Sequence, residues 1–170
     1  MTGIASTREL FQQEMRTALD VAEQDLRAKY SDPGIALEIV DYRTVPRVVA
    51  PWDEILDWEY ARRRAAATHR SCFVGISAGS SRNVAALALV KVSRHRVTTS
   101  LLFFQKDEQA QIPGRAMAMM DVILGAVAAV FESTTIAIDT PLGHLVSYYK
   151  SYGYTTERYL DHRLLLTKPA

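Results

Sequence analysis

Gln111, Pro113, Gly114 and Arg115 form the stretch of this chain where residue type and spacing point most directly to chemistry. They lie between an apolar run, Leu101 to Phe104, and a long segment rich in Ala, Met and Leu, Met117 to Phe131. The aromatic-rich run favours a strand and the longer segment a helix. Pro113 fits a first helical turn, where its missing N–H costs little. Gly114 lets the backbone approach a ligand closely. A strand, a Gly-bearing loop and a helix N-terminus together make an anion site. Free N–H groups point outward there, and the helix dipole favours negative charge.

The other reactive residue types are scattered. His69, His95, His144 and His162 are isolated, and no pair has the spacing of metal ligands, so no metal is expected. Cys72, the single cysteine, lies in an alternating segment with nothing beside it to activate a thiolate. It rules out an intrachain disulfide framework and suits a reducing, cytoplasmic setting. Arg62, Arg63 and Arg64 have no interleaved aromatic residue and read as a solvated helix end, not a nucleic-acid patch. The net charge of +1 over 170 residues gives no global field for nucleic acid or an anionic membrane. Hydrophobic residues make up 48% and charged residues 23%, which suits one globular domain spanning 1–170. The N-terminus has no apolar signal core. No stretch reaches membrane-span length, since the Met117–Phe131 helix is short and carries Asp121.

The elements that must position the anion loop follow from periodicity. Ser6 or Thr7 caps a helix running to about Lys29, with Phe11, Met15, Ala18, Leu19, Ala22 and Leu26 on one face. Ser31-Asp32-Pro33-Gly34 is a turn, and Ile35 to Tyr42 a strand. Pro46 and Pro51 bracket an extended link. A second helix spans Trp52 to Ala67, acidic at Asp53, Glu54, Asp57 and Glu59 and basic at its end. Trp52, Ile55, Leu56 and Glu59 lie along one side. Strands are expected at Ser71–Ala78, Val84–Val92 and Thr98–Gln105, joined by a hairpin loop at 79–83 and a turn at 93–96. These three strands form an antiparallel meander that runs into the anion loop and the Met117–Phe131 helix. A short strand at Thr134–Ile138 follows. Pro141 opens another helix stopped by Gly153, and Arg158–Thr167 returns as a last strand. The apolar content of Val97–Phe104 and Met117–Phe131 is high for a sheet covered on one face only. The two segments should pack on each other, with the first helix covering part of the remaining surface; a homodimer is compatible but not required.

The spacing Gln111-x-x-Gly114-x-Ala116 resembles the Q/R-x-x-G-x-G/A signature of the Gcn5-related N-acetyltransferase (GNAT) superfamily. Tyr149-Lys150-Ser151-Tyr152-Gly153-Tyr154 resembles the Y-x-K-x-G-F ending of that superfamily's core, with Tyr154 in the Phe place. Its position after a short strand and the long helix matches as well. Trp52-Asp53 through Arg64, followed by the meander, resembles phage- and plasmid-borne acetyltransferase-like proteins. Together these cover roughly residues 35 to 167. The implied fold is α/β (α+β), a mixed and mostly antiparallel central sheet flanked by helices. An extra N-terminal helix at about 6–29 precedes that core.

The resemblance implies acetyl transfer from acetyl-coenzyme A to a primary amine of a small-molecule or protein acceptor. The implied alternative is an inactive protein of the same fold that works as a binding or inhibitory module. In this superfamily the backbone of the strand before the loop pairs with the pantetheine arm, here Leu102, Phe103, Phe104 and Gln105. Gln111, Gly114, Arg115 and Ala116 would hold the pyrophosphate, and Tyr149 would protonate the departing thiolate. Glu108 and Asp139 are the candidates for handling the amine, although Glu108 also reads as a solvated loop charge and Asp139 as a helix cap. The chain departs from the pattern in its long first helix, in Pro113 inside the loop, and in Leu142 near the place of a common Asn.

Overall fold

The computed structural model describes residues 6–53, 56–79 and 83–170. Its first element, α1 (Thr7–Tyr30), begins at a reciprocal cap in which the Glu9 N–H donates to the Ser6 hydroxyl and the Ser6 N–H donates to the Glu9 carboxylate. The six apolar residues expected on one face are the six that α1 buries. Full burial of a Leu or Phe side chain stabilises by roughly 1.5–3 kcal/mol, so this face, not intrinsic propensity, holds the helix to the body.

After the 31–34 turn come β1 (Ala36–Val40), α2 (Val45–Val49), α3 (Trp58–Ala66), β2 (Ser71–Ser77), β3 (Ala86–Val92) and β4 (Thr98–Lys106). Then follow α4 (Ala116–Phe131), β5 (Thr135–Asp139), a 3-10 turn at Gly143–Leu145, α5 (Val146–Lys150), β6 (Thr156–Leu160) and β7 (Arg163–Pro169). The strands form one seven-stranded sheet in the order β1-β2-β3-β4-β5-β7-β6. β4 and β5 are parallel, joined by the α4 crossover, and all other neighbours are antiparallel.

Alternation in β2 splits the core between the two faces. Cys72, Val74 and Ile76 join α1 and α4 on one side, where Phe11 packs on Phe131 at 5.3 Å between ring centres. Phe73, Leu87 and Leu89 meet Val45, Trp52, Trp58, Ala61 and Ala65, the α2 and α3 side, on the other. The expected packing of the β4 segment with the long helix, with α1 over part of the remainder, is present within the first of these clusters.

Five expectations change. The Pro46–Pro51 link is not extended but contains α2, because Pro46 lies in the first turn, where no N–H is required. The second helix starts at Trp58, not Trp52, with the Asp57 carboxylate accepting from the Tyr60 N–H; Trp52 instead lies buried under the preceding turn. Pro113 lies ahead of α4, whose cap is Arg115. The helix expected from Pro141 begins as a 3-10 turn at Gly143. The last strand is a hairpin: Asp161 and His162 both take positive φ, 48° and 65°, as a two-residue turn of primed type requires. The expectations that fall on Glu54, Ile55, Ser80, Ser81 and Arg82 lie outside the described residues.

Candidate active site

β4 parts from β5 halfway along its length. It pairs with β5 only over Thr98–Leu101, while its pairing with β3 continues to Lys106. At the parting point the β3 register slips between Leu89 and Val90, which face Phe103 and Leu101, so Leu102 has no partner on β3. An extra residue on one strand bends it and increases its twist. Beyond the bulge the β5-facing edge of β4 has no strand beside it. The split opens a cavity of about 470 Å³. Leu101 to Phe104 form one wall, Ile138 and Asp139 another, and Tyr149 comes from α5, Tyr60 and Arg64 from α3, and Arg163 from β7.

Tyr149 is 9% exposed, and its hydroxyl makes no hydrogen bond to any described residue. Burial raises the phenol above its ordinary range, so the group keeps its proton at neutral pH. The neighbouring tyrosines are engaged with each other: the Tyr148 and Tyr152 hydroxyls are 3.5 Å apart. Burial and that contact push Tyr148 up to about 12. Asp139 is also buried, and its Oδ2 is 3.1 Å from the Arg163 guanidinium. The Thr140 hydroxyl donates to Oδ1 at 2.7 Å. Asp139 therefore caps no helix; the following 3-10 turn has no side-chain cap.

Solved structures share this architecture. A GNAT-family protein from Desulfovibrio desulfuricans is 12% identical, with 80% of this chain matched to 98% of that one at a TM-score of 0.53. Mutant forms of the spermidine/spermine N-acetyltransferase SpeG from Vibrio cholerae are 6% identical, over 79% of this chain and 94% of theirs, at 0.54. The GNAT domain of S. lividans PAT is 14% identical, over 79% and 89%, at 0.53. The fold is that of the GNAT acetyltransferases. No protein-family model matches the chain, and no curated protein matches it in sequence.

The residues expected at the site from the sequence divide into those that meet the split and those that do not. Leu102, Phe103 and Phe104 line it. The Gln105 side chain is directed elsewhere: its Oε1 accepts from the Trp58 indole and its Nε2 donates to the Asp53 carbonyl, both at 2.8 Å, which ties the start of α3 to β4. Glu108 is exposed on the loop and does not line the cavity. Gln111 is exposed and borders a separate hollow with Asp32 and Asp107. Gly114 has φ +65°, and a Cβ there would come within 2.7 Å of the Tyr30 ring. Its missing side chain accommodates the last residue of α1. Arg115 and Gly114 are exposed. α4 starts at Ala116, and no side chain caps it. The N–H groups of Ala116, Met117 and Ala118 take no acceptor among the described residues. These groups can receive an anion.

Tyr154, in the Phe place of the ending, is fully buried. Its hydroxyl donates to Asp121 at 2.6 Å, and Lys168 donates to the same oxygen at 2.6 Å. This network explains how α4 tolerates a carboxylate on a largely apolar surface. Sequence reasoning missed Tyr60, Arg64 and Arg163 as cavity residues, and no local pattern marks them, since only tertiary pairing brings them to the split. Among the described residues no three His, Cys, Asp or Glu side chains group as metal ligands, and no helix is long and apolar enough to cross a membrane. Cys72 is buried, and desolvation pushes its thiol up to about 12, so it is no nucleophile at neutral pH.

Proposed function

We propose that the chain is an acetyl-coenzyme A-dependent N-acetyltransferase that acts on a primary amine. The observation that carries this reading is the split between β4 and β5, opened at the Leu102 bulge, with an unpartnered Tyr149 phenol on its wall. The free edge of β4 from Leu102 to Gln105 supplies backbone donors and acceptors for the amides of the pantetheine arm. The uncapped start of α4, with Arg115 beside it, receives the pyrophosphate. Gln111 and Gly114 contribute the turn that presents those N–H groups.

The amine first loses a proton to solvent water, since the cavity lining offers no unpaired carboxylate among the described residues to take it. Its nitrogen then attacks the thioester carbonyl, the C–N bond forms, and the carbonyl oxygen takes the negative charge. Collapse breaks the C–S bond, Tyr149 gives its proton to the departing thiolate, and the phenolate is reprotonated by the proton that the attacking nitrogen sheds as it becomes the amide. Asp139 orients the amine in this reading; it does not take the proton, because Arg163 and Thr140 occupy its oxygens. Glu108 stands clear of the cavity and acts, if at all, on an acceptor approaching from outside.

Calorimetry with acetyl-coenzyme A, followed by thiol release in the presence of an amine panel, tests the proposal. Saturable one-to-one binding and amine-dependent thiol release are expected. Saturable binding with no release from any amine would favour an inactive binding module, and absent binding would overturn the reading.

A further inference from the structure

The acetyl-donor reading leaves half of the cavity unassigned, and that half is basic. The uncapped start of α4 does not line the cavity, so the donor phosphates lie off it. The opposite wall comes from α3 and β7, through Tyr60, Arg64 and Arg163. Asp139 is the only carboxylate among the described lining residues, and Arg163 pairs with it. Arg64 remains. It is half-buried, lies 6.0 Å over the Tyr60 ring, and makes no ion pair or side-chain hydrogen bond with any described residue.

One neighbouring cation adds to the positive field at Arg64. Lys91 lies on the face of β3 that Leu87 and Leu89 turn toward α3, and it makes no ion pair or side-chain hydrogen bond with any described residue. Burial, and then Arg64 and Arg70, push its ammonium below the ordinary lysine range. Uncompensated positive charge at a cavity wall raises the local concentration of anions.

We propose that the acceptor carries an anionic group, a carboxylate or phosphate, close to the amine that is acetylated, and that Arg64 receives it. This rests on the acetyltransferase reading above. Arg64 presents a planar fork that matches either anion, and stacking on Tyr60 holds the fork ready. The amine end then points to Asp139 and the thioester. A polycationic acceptor would meet Arg64 and Arg163 at the same wall and is disfavoured.

The test has two readouts. In the first, thiol release is compared for glycylglycine, phosphoethanolamine, glycinamide and spermidine. Glycylglycine or phosphoethanolamine should exceed glycinamide and spermidine in kcat/KM, and whichever leads identifies the anion. Arg64→Gln should raise KM for the leading acceptor roughly ten- to hundredfold and erase its advantage over glycinamide. In the second, the ¹⁵N-labelled protein saturated with coenzyme A is titrated with the same compounds, and the Arg64 Nε–H resonance, assigned by its loss in Arg64→Gln, is followed. It should move saturably with the anionic compounds only. Efficient acetylation of glycinamide or spermidine, or an Arg64 resonance that no anion moves, overturns the proposal while leaving acetyl transfer intact. A protein that binds no acetyl-coenzyme A overturns the parent reading instead; the same resonance, followed without coenzyme A, then decides whether the anion site exists.

Discussion

Replacing Tyr149 by Phe removes one oxygen from the wall of the split and nothing else. That hydroxyl has no partner among the described residues, so no donor or acceptor is orphaned. The residue is only 9% exposed, and its ring keeps its packing. The change in stability should stay below about 1 kcal/mol. General acid catalysis contributes on the order of a hundredfold to ten-thousandfold. The cavity is open to solvent and a thiolate leaves fairly well unprotonated, so a loss at or just below the bottom of that range, about tenfold to a hundredfold in kcat, is expected. Acetyl-coenzyme A affinity by calorimetry should be unchanged. The pH dependence has a definite sign. Burial raises the Tyr149 phenol, so the protonated donor persists to higher pH than a free tyrosine, and any alkaline fall in kcat due to this group lies above the range where a free tyrosine titrates. Thiol-release kinetics on Phe variants at positions 148, 149 and 152 provide the assay. Full activity in Tyr149→Phe, with loss in Tyr148→Phe or Tyr152→Phe, would refute the reasoning.

Gly114→Ala should destabilise the protein by about 1–3 kcal/mol, because it adds left-handed strain and a clash with Tyr30. Adding Tyr30→Ala to that variant should recover the clash but not the strain, which thermal melts of the single and double variants can separate. Tyr154→Phe should cost roughly 1.5–3 kcal/mol in urea denaturation, since a buried hydrogen bond to a charged carboxylate is lost; no change would mean that Lys168 alone satisfies Asp121. Ser6→Ala should cost about 1 kcal/mol by removing the α1 cap. Cys72 should resist a disulfide thiol reagent in the native protein and react once urea unfolds it; rapid native reaction would contradict the buried, protonated thiol.

The elements legible in the sequence were those whose signal is local. The α1 face needed only a 3.6-residue period and a cap, and β2 needed only the alternation of Cys72, Val74 and Ile76. The β6–β7 hairpin was hidden because Asp161-His162 makes a turn usually marked by Asn-Gly. α2 was hidden because Pro46 and Pro51 read as breakers, although a proline in a first turn breaks nothing. The same division runs through the candidate site. Leu102 to Phe104 and Tyr149 could be named from motif and order, and the fold brings them to one cavity. Gln105 could be named but not its partner, since Trp58 lies 47 residues away. Arg64 read as a solvated helix end because nothing in its own segment shows that β4, β5 and β7 meet it. Gly114 was read as clearance for a ligand, whereas the nearest atoms belong to Tyr30.

The central claim is that the parted edge of β4 and the start of α4 hold the acetyl donor. Backbone amide resonances of the ¹⁵N-labelled protein, followed as acetyl-coenzyme A is added, test it most directly. The account predicts saturable shifts at Leu102 to Gln105 and at Ala116 to Ala118, with one dissociation constant for both groups. Shifts confined to other strands, or no saturable shift at all, would contradict it.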